Sequence, residues 1–339
     1  MRVSQKILNS DGERDYLVKR TQPVYRYNNN MDLSLWKKAL KEKFVELIGL
    51  ERIKSNACSL NFEIEWKEDK ENYYLIRFTV ESEIGEIVPC YMTIPKLNKK
   101  KYPVAIVLQG HFGDIKRSIG EFDTGENKDF VLEKNAFCLQ AIENGYIGLA
   151  IELRGLGEKL AKRTDRSSVT TCRWATRTAF SLGRTIIAER IWDIIRVVDA
   201  LVNFEECDLD KIFIVGDEVG ATTGYYTACL DERIKMCVMN GGFSSYVNSI
   251  FSVEHCGCYY IPFSYEWFDM PELSVMIAPR KLKIISNENV REDFRIVKCI
   301  YESMGDLNGA TLIERIAEYG WNKELVWDEV KKEIDRLGW

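Results

Sequence analysis

The chain has 339 residues, 46% hydrophobic and 12% aromatic, which is ample for a substantial core in one large α/β domain or two smaller ones. Its 47 basic and 52 acidic residues leave a net charge of −5, which excludes a general attraction to nucleic acid or to anionic membrane. Ten cysteines are too few over this length for a disulfide framework, and Cys138, Cys237 and Cys299 sit singly in apolar runs, as reduced thiols do.

Residues 1–30 are polar, end in Asn28-Asn29-Asn30 and show little periodicity, so an arm or extended lead-in is expected. They lack the apolar region of a signal peptide, and no stretch approaches the roughly 20 apolar residues of a membrane span. A cytoplasmic protein with no membrane partner is expected. Over 34–50, Leu35, Trp36, Leu40, Phe44, Leu47 and Ile48 recur mostly at spacings of three and four, which predicts an amphipathic helix ended by Gly49. Segments 62–68, 73–82 and 86–94 carry aromatic or β-branched residues between polar turns and predict antiparallel strands.

After Pro103 the runs 104–108, 147–151, 212–215, 236–239 and, interrupted by Lys283, 282–285 are apolar throughout, as in strands buried on both faces. Helical patterns at 130–144, 185–204, 222–230, 291–304 and 323–337 lie between and after them. That alternation predicts a mostly parallel sheet with right-handed crossovers, flanked by helices. No repeat, low-complexity tract or linker divides it. The expected organisation is an N-terminal arm and helix over 1–60 and one α/β domain over 61–339.

Gly216-Asp217-Glu218-Val219-Gly220 directly follows the apolar run Ile212-Phe213-Ile214-Val215. It has the strand-then-Gly-x-nucleophile-x-Gly form of a hydrolase elbow, with a glutamate where serine is expected. Further motifs accompany it: Gln109-Gly110-His111-Phe112-Gly113 after a strand, Glu152-Leu153-Arg154-Gly155 after another, Asp231-Glu232-Arg233, and Ala278-Pro279-Arg280. Together they resemble bacterial α/β-hydrolases of the acetylxylan-esterase-like and dienelactone-hydrolase-like group, from about Trp36 to about Val330. The resemblance implies an α/β-hydrolase fold, an oxyanion loop at 109–113 and a lid-like insertion at about 156–184.

The chain departs from that group at all three triad places. Glu218 stands at the nucleophile. Asn287-Glu288-Asn289-Val290 replaces the acid turn, with Val290 opposite the acid. Tyr319-Gly320-Trp321 replaces the histidine turn. The chain has only His111 and His255, and none follows where the base belongs. The fold is therefore expected without the triad chemistry.

An elbow carboxylate acting as nucleophile would still need a histidine to activate water. Acid or base work needs less, so Glu218 suits elimination, isomerisation or cyclisation of a small molecule. The alternative is a catalytically inactive pseudo-hydrolase, with Glu218 folded into the oxyanion hole and the cavity kept for a ligand or a protein partner. Residual hydrolysis is a third reading. His111 either orders its loop or transfers protons with Glu218. Asp217, Val219, Gly110, Trp321 and Arg154 are expected around the substrate, although Glu152 and Arg154 also read as a pair fixing a turn. Arg163, Arg166, Arg173, Arg177 and Arg184 make the insertion basic, either as a solvated face or as a lid over an anionic substrate. Trp174, Phe180, Trp267 and Phe268 fit a pocket lining or core packing equally well.

His255-Cys256-Gly257-Cys258 holds zinc-ligand residue types, but it is too small a set and no second Cys-x-x-Cys completes it. No metal is assigned there. No phosphate-binding glycine loop is present and no cofactor is expected. The expected partner is a small molecule, and homo-oligomerisation stays open.

Overall fold

A computed structural model of the chain describes residues 11–122, 125–165, 167–315 and 320–339. Among these, nine strands form a single sheet: β1 (Glu63–Asp69), β2 (Tyr73–Glu83), β3 (Glu86–Pro95), β4 (Tyr102–Leu108), β5 (Ile147–Ile151), β6 (Cys207–Asp217), β7 (Ile234–Asn240), β8 (Lys281–Ser286) and β9 (Ala310–Glu314). Their spatial order is β1-β2-β3-β5-β4-β6-β7-β8-β9. The β1-β2-β3-β5 neighbours pair antiparallel, and every pair from β5 to β9 is parallel. The helices are α1 (Asp11–Arg20), α2 (Leu33–Ile48), α3 (Leu50–Lys54), α4 (Ile115–Ser118), α5 (Lys128–Lys134), α6 (Phe137–Glu143), α7 (Ser168–Ser181), α8 (Ile186–Ala200), α9 (Val219–Leu230), α10 (Arg291–Ser303) and α11 (Lys323–Leu337). No helix among the described residues is long and apolar enough to cross a membrane.

Side chains along the central strands alternate between two cores, as the two-residue period of a strand requires. Val104, Ile106 and Leu108 of β4 join the core packed by α2, α8, α9 and α10. Ala105 and Val107 join the core packed by α6 and α11. Burial on both faces makes these strands continuously apolar. Lys283 breaks the β8 run because it forms a 2.7 Å ion pair with Glu333 of α11, both side chains being essentially inaccessible.

Helix α2 starts where the Asp32 carboxylate accepts the Ser34 and Leu35 N–H groups, and it stops at left-handed Gly49. It buries Leu40, Phe44 and Ile48 in the same core as the strands beyond residue 60. Within the expected arm, residues 11–20 form helix α1, which buries nothing. The single helical pattern at 130–144 is two helices, α5 and α6, separated at Asn135 and Ala136. There the Asn135 carbonyl turns to accept the Gln109 side-chain amide at 2.7 Å.

Arg154 and Glu152, two residues apart at the exit of β5, do not pair with each other. Arg154 binds both oxygens of Asp193 on α8, at 2.8 and 2.7 Å, and Glu83 of β2 at 2.8 Å. Ser82 donates to Asp193, and Arg184 binds Glu83 and Glu189. Burial works against charge on Asp193, but Arg154 and Lys159 outweigh it and hold its carboxyl below the ordinary value. This cluster fastens the antiparallel edge of the sheet to α8.

Glu152 turns the other way and accepts the Glu158 N–H at 3.0 Å. Burial pushes its carboxyl up to about 8. The folded protein therefore keeps a proton that the unfolded chain releases above its ordinary carboxylate range. This contribution to stability is complete at pH below about 4 and is lost as pH rises toward about 8. Thermal midpoints recorded from pH 5 to pH 8.5 are expected to fall less steeply in Glu152→Gln than in the native protein; equal slopes would contradict the assignment.

Candidate active site

Strand β6 delivers the elbow between its two parallel neighbours, with Gly216 opposite Leu108 of β4 and Asp217 opposite Asn240 of β7. The next residue, Glu218, has φ 47 and ψ −110, a backbone region that costs a non-glycine residue about 1–3 kcal/mol. The surroundings hold it there. Its N–H donates to the Asn240 carbonyl at 3.0 Å, and its own carbonyl accepts the Thr222 N–H at 3.0 Å. A Cβ on Gly220 would lie 2.3 Å from the Leu108 carbonyl oxygen, and one on Gly242 2.3 Å from that of Glu218. Both positions need glycine for these close backbone crossings.

The Glu218 side chain is exposed and makes no capping hydrogen bond to α9. The N–H groups of the first helical turn are not consumed by it. Glu218 Oε2 and Asp217 Oδ2 converge on Gly110 of the loop after β4, lying 3.1 and 3.4 Å from where a Cβ would stand. Asn240 Nδ2–H donates to Asp217 Oδ1 at 2.6 Å. Asp217 touches the cavity yet is packed round by protein, and this burial, with Glu218 alongside, pushes its carboxyl up to about 7 despite Asn240 and Arg315. One of two neighbouring carboxyls is thus part-protonated near neutrality.

The pair opens into a cavity of about 580 Å³, within the small-molecule range. His111, His255, Tyr259, Arg173 of α7 and Arg315 also line it. His111 turns its Nε2 toward sulfur, 3.1 Å from Cys258 Sγ and 3.8 Å from Cys172 Sγ. His255 packs edge-on against Tyr259, and its Nε2 is buried without a hydrogen-bond partner. Burial lowers its pKa.

The expected site residues divide. Glu218, Asp217 and His111 line the cavity and Gly110 backs the two carboxylates. Val219 is buried as the first residue of α9. Trp321 is buried beyond the sheet, stacked on Phe137 at 3.9 Å, with Nε1–H donating to Gln140 Oε1 at 2.9 Å; only its neighbour Gly320 reaches the cavity. Arg154 belongs to the ion cluster at α8. Trp174, Phe180, Trp267 and Phe268 do not line this cavity. At the end of β8, Ser286 and Asn287 reach it, while Val290 is buried and Glu288 and Asn289 are exposed elsewhere. Arg166 and Tyr319 lie outside the described residues.

One group of four residues was not legible as a unit. His111 meets Cys172 of α7 together with Cys256 and Cys258, their ligand atoms all within 4.8 Å of one another. Hydrogen bonds from Cys256 and Cys258, then the charge of buried Arg190, hold the Cys172 thiol well below its ordinary value. His255, adjacent to Cys256 in sequence, is not part of this group.

Comparison with known proteins places the fold. The chain is 24% identical over 219 residues to YtaP of Bacillus subtilis (strain 168), provisionally named a hydrolase, covering 63% of this chain and 69% of that one. A protein of Bacteroides fragilis NCTC 9343, provisionally named an acetyl xylan esterase, superposes with a TM-score of 0.78 at 18% identity, over 95% of this chain and 89% of its own. A glucuronoyl esterase from Solibacter usitatus gives 0.63 at 14% identity, over 93% and 98%. These structural likenesses establish the shared fold. A model of the Abhydrolase family matches residues 1–201, well over half of the 339, and with the sheet order and the elbow this makes the chain a member of the Abhydrolase family, with an α/β-hydrolase fold.

Proposed function

We propose that this family member has exchanged the Ser-Asp-His triad for a carboxylate site, and that Glu218 acts as acid or base on a small molecule. The chemistry is of the elimination, isomerisation or cyclisation type. The observation that supports this reading is the carboxylate itself. It is held at a strained elbow, faces the cavity and shares Gly110 with Asp217, leaving the first-turn N–H groups of α9 uncapped.

A carboxylate folded back into the oxyanion hole would instead cap those groups. The proximity of Asp217 supplies a second carboxyl that is part-protonated near pH 7, so one group can take a proton while its neighbour gives one. His111, with its Nε2 committed to sulfur, shapes the wall and is not the proton carrier.

The test uses a nitro-substituted benzisoxazole. A base removes its ring C–H proton, the N–O bond breaks, and a coloured nitrile-bearing phenolate is released. The native protein is expected to turn this compound over, and a serine-directed fluorophosphonate is expected neither to label the protein nor to slow it. Stoichiometric labelling of a cavity serine such as Ser244, Ser249 or Ser286 would replace this reading with a serine esterase. Absence of turnover would favour a ligand-binding role without chemistry.

A further inference from the structure

The cluster of His111, Cys172, Cys256 and Cys258 is independent of the carboxylate chemistry, and its geometry points to a structural zinc site. We infer that these four residues bind one Zn²⁺ through Nε2 and three thiolates. A tetrahedral zinc with Zn–S of about 2.3 Å and Zn–N of about 2.0–2.1 Å sets its ligands about 3.8 Å apart between sulfurs and about 3.6 Å between sulfur and nitrogen. Here Cys172 Sγ and Cys256 Sγ are 3.6 Å apart, His111 Nε2 is 3.8 Å from Cys172 Sγ and 3.1 Å from Cys258 Sγ. The remaining separations stay within 4.8 Å. These separations bracket those of a four-coordinate ion.

Charge gives a second, separate indication. Arg190 of α8 is wholly buried, yet among the described residues it forms no ion pair with a carboxylate. Its Nε and Nη2 donate to the Arg154 carbonyl at 3.0 and 2.7 Å, its Nη2 lies 3.3 Å from Cys172 Sγ, and its Nη1 has no partner. A buried guanidinium without a counter-charge is costly. Zinc with three thiolates and a neutral imidazole carries one net negative charge, and Arg190 neutralises it. A hydrogen bond to a ligating sulfur is the usual outer contact of such a centre.

Four protein ligands close the coordination sphere, so the ion is structural and not a catalyst. It ties together three separate segments: the loop after β4 through His111, helix α7 through Cys172, and the short turn at Gly257–Tyr259 through Cys256 and Cys258. Val169 and Arg173 of α7 line the cavity, so the ion fastens the cavity wall to the loop carrying Gly110.

The protein is to be purified without chelators from cells grown with added zinc and its metal content measured by mass spectrometry. The native chain is expected to carry a full equivalent of zinc, Cys172→Ser and Cys258→Ser to lose most of it, and Cys299→Ser, which alters an exposed thiol outside the cluster, to retain it. Cobalt(II) loaded in place of zinc is expected to give the intense visible bands of a tetrahedral ion and a thiolate charge-transfer band, a readout that needs no variant to fold. Zinc content in the native protein no higher than in Cys172→Ser overturns the proposal. So does cobalt lacking those bands, or a Cys172–Cys256 disulfide in the protein as isolated.

Discussion

Asp193→Ala is expected to lower the unfolding free energy by about 3–5 kcal/mol, the loss typical of removing one partner from a buried ion pair. Asp193 is completely inaccessible and Arg154 only 9% exposed. The carboxylate binds Arg154 through both oxygens and accepts from Ser82. Alanine leaves the guanidinium with Glu83 at 2.8 Å and the Ser82 hydroxyl oxygen at 3.3 Å, and removes the acceptor of the Ser82 O–H. Because the cluster joins β2, the exit of β5 and α8, the antiparallel edge of the sheet loosens with it. Guanidinium denaturation of the two proteins measures the loss. A change below about 1 kcal/mol, as for an exposed ion pair, would show that the cluster contributes charge but little stability. Should the alanine variant fail to fold, Asp193→Asn keeps an acceptor for Arg154 and is expected to fall between the two.

Much of the fold is legible because burial on two faces leaves a simple mark. Strands β4 to β8 appear as apolar runs, and α2 as a three-and-four spacing that stops at Gly49. The elbow shows through Gly216 and Gly220: a side chain on Gly220 would strike the end of β4, and one on Gly216 the backbone of Gly220 and Ala221 at the start of α9. Strand β9 was not legible because it lies at the sheet edge, largely half-buried, so no continuous apolar run marks it. Helix α7 buries Thr171, Cys172, Thr176 and Ala179, so small and polar residues stand on its inner face where an apolar stripe would mark the period.

The site was legible only where adjacent residues build it. Asp217 and Glu218 follow from the elbow. Trp321 does not, because one step along the chain from Gly320 carries its side chain to the other side of the sheet. The sulfur cluster was hidden by distance. Cys258 lies 147 residues from His111, and Cys172 lies 84 residues from Cys256. His255, the histidine adjacent to Cys256, lies outside the group, which His111 completes. The signal available in sequence was a Cys-x-Cys pair next to a histidine, which did not identify its partners.

The central claim is that the Glu218 carboxylate performs proton transfer in this cavity. It is tested most directly by comparing benzisoxazole turnover in the native protein and in Glu218→Gln. Glutamine keeps the volume and the elbow backbone and removes only the ability to accept a proton. A general base contributes roughly 10²–10⁴-fold, so the variant is expected to lose turnover by about that factor while unfolding at the same denaturant concentration. An equally folded variant with native turnover would contradict the account.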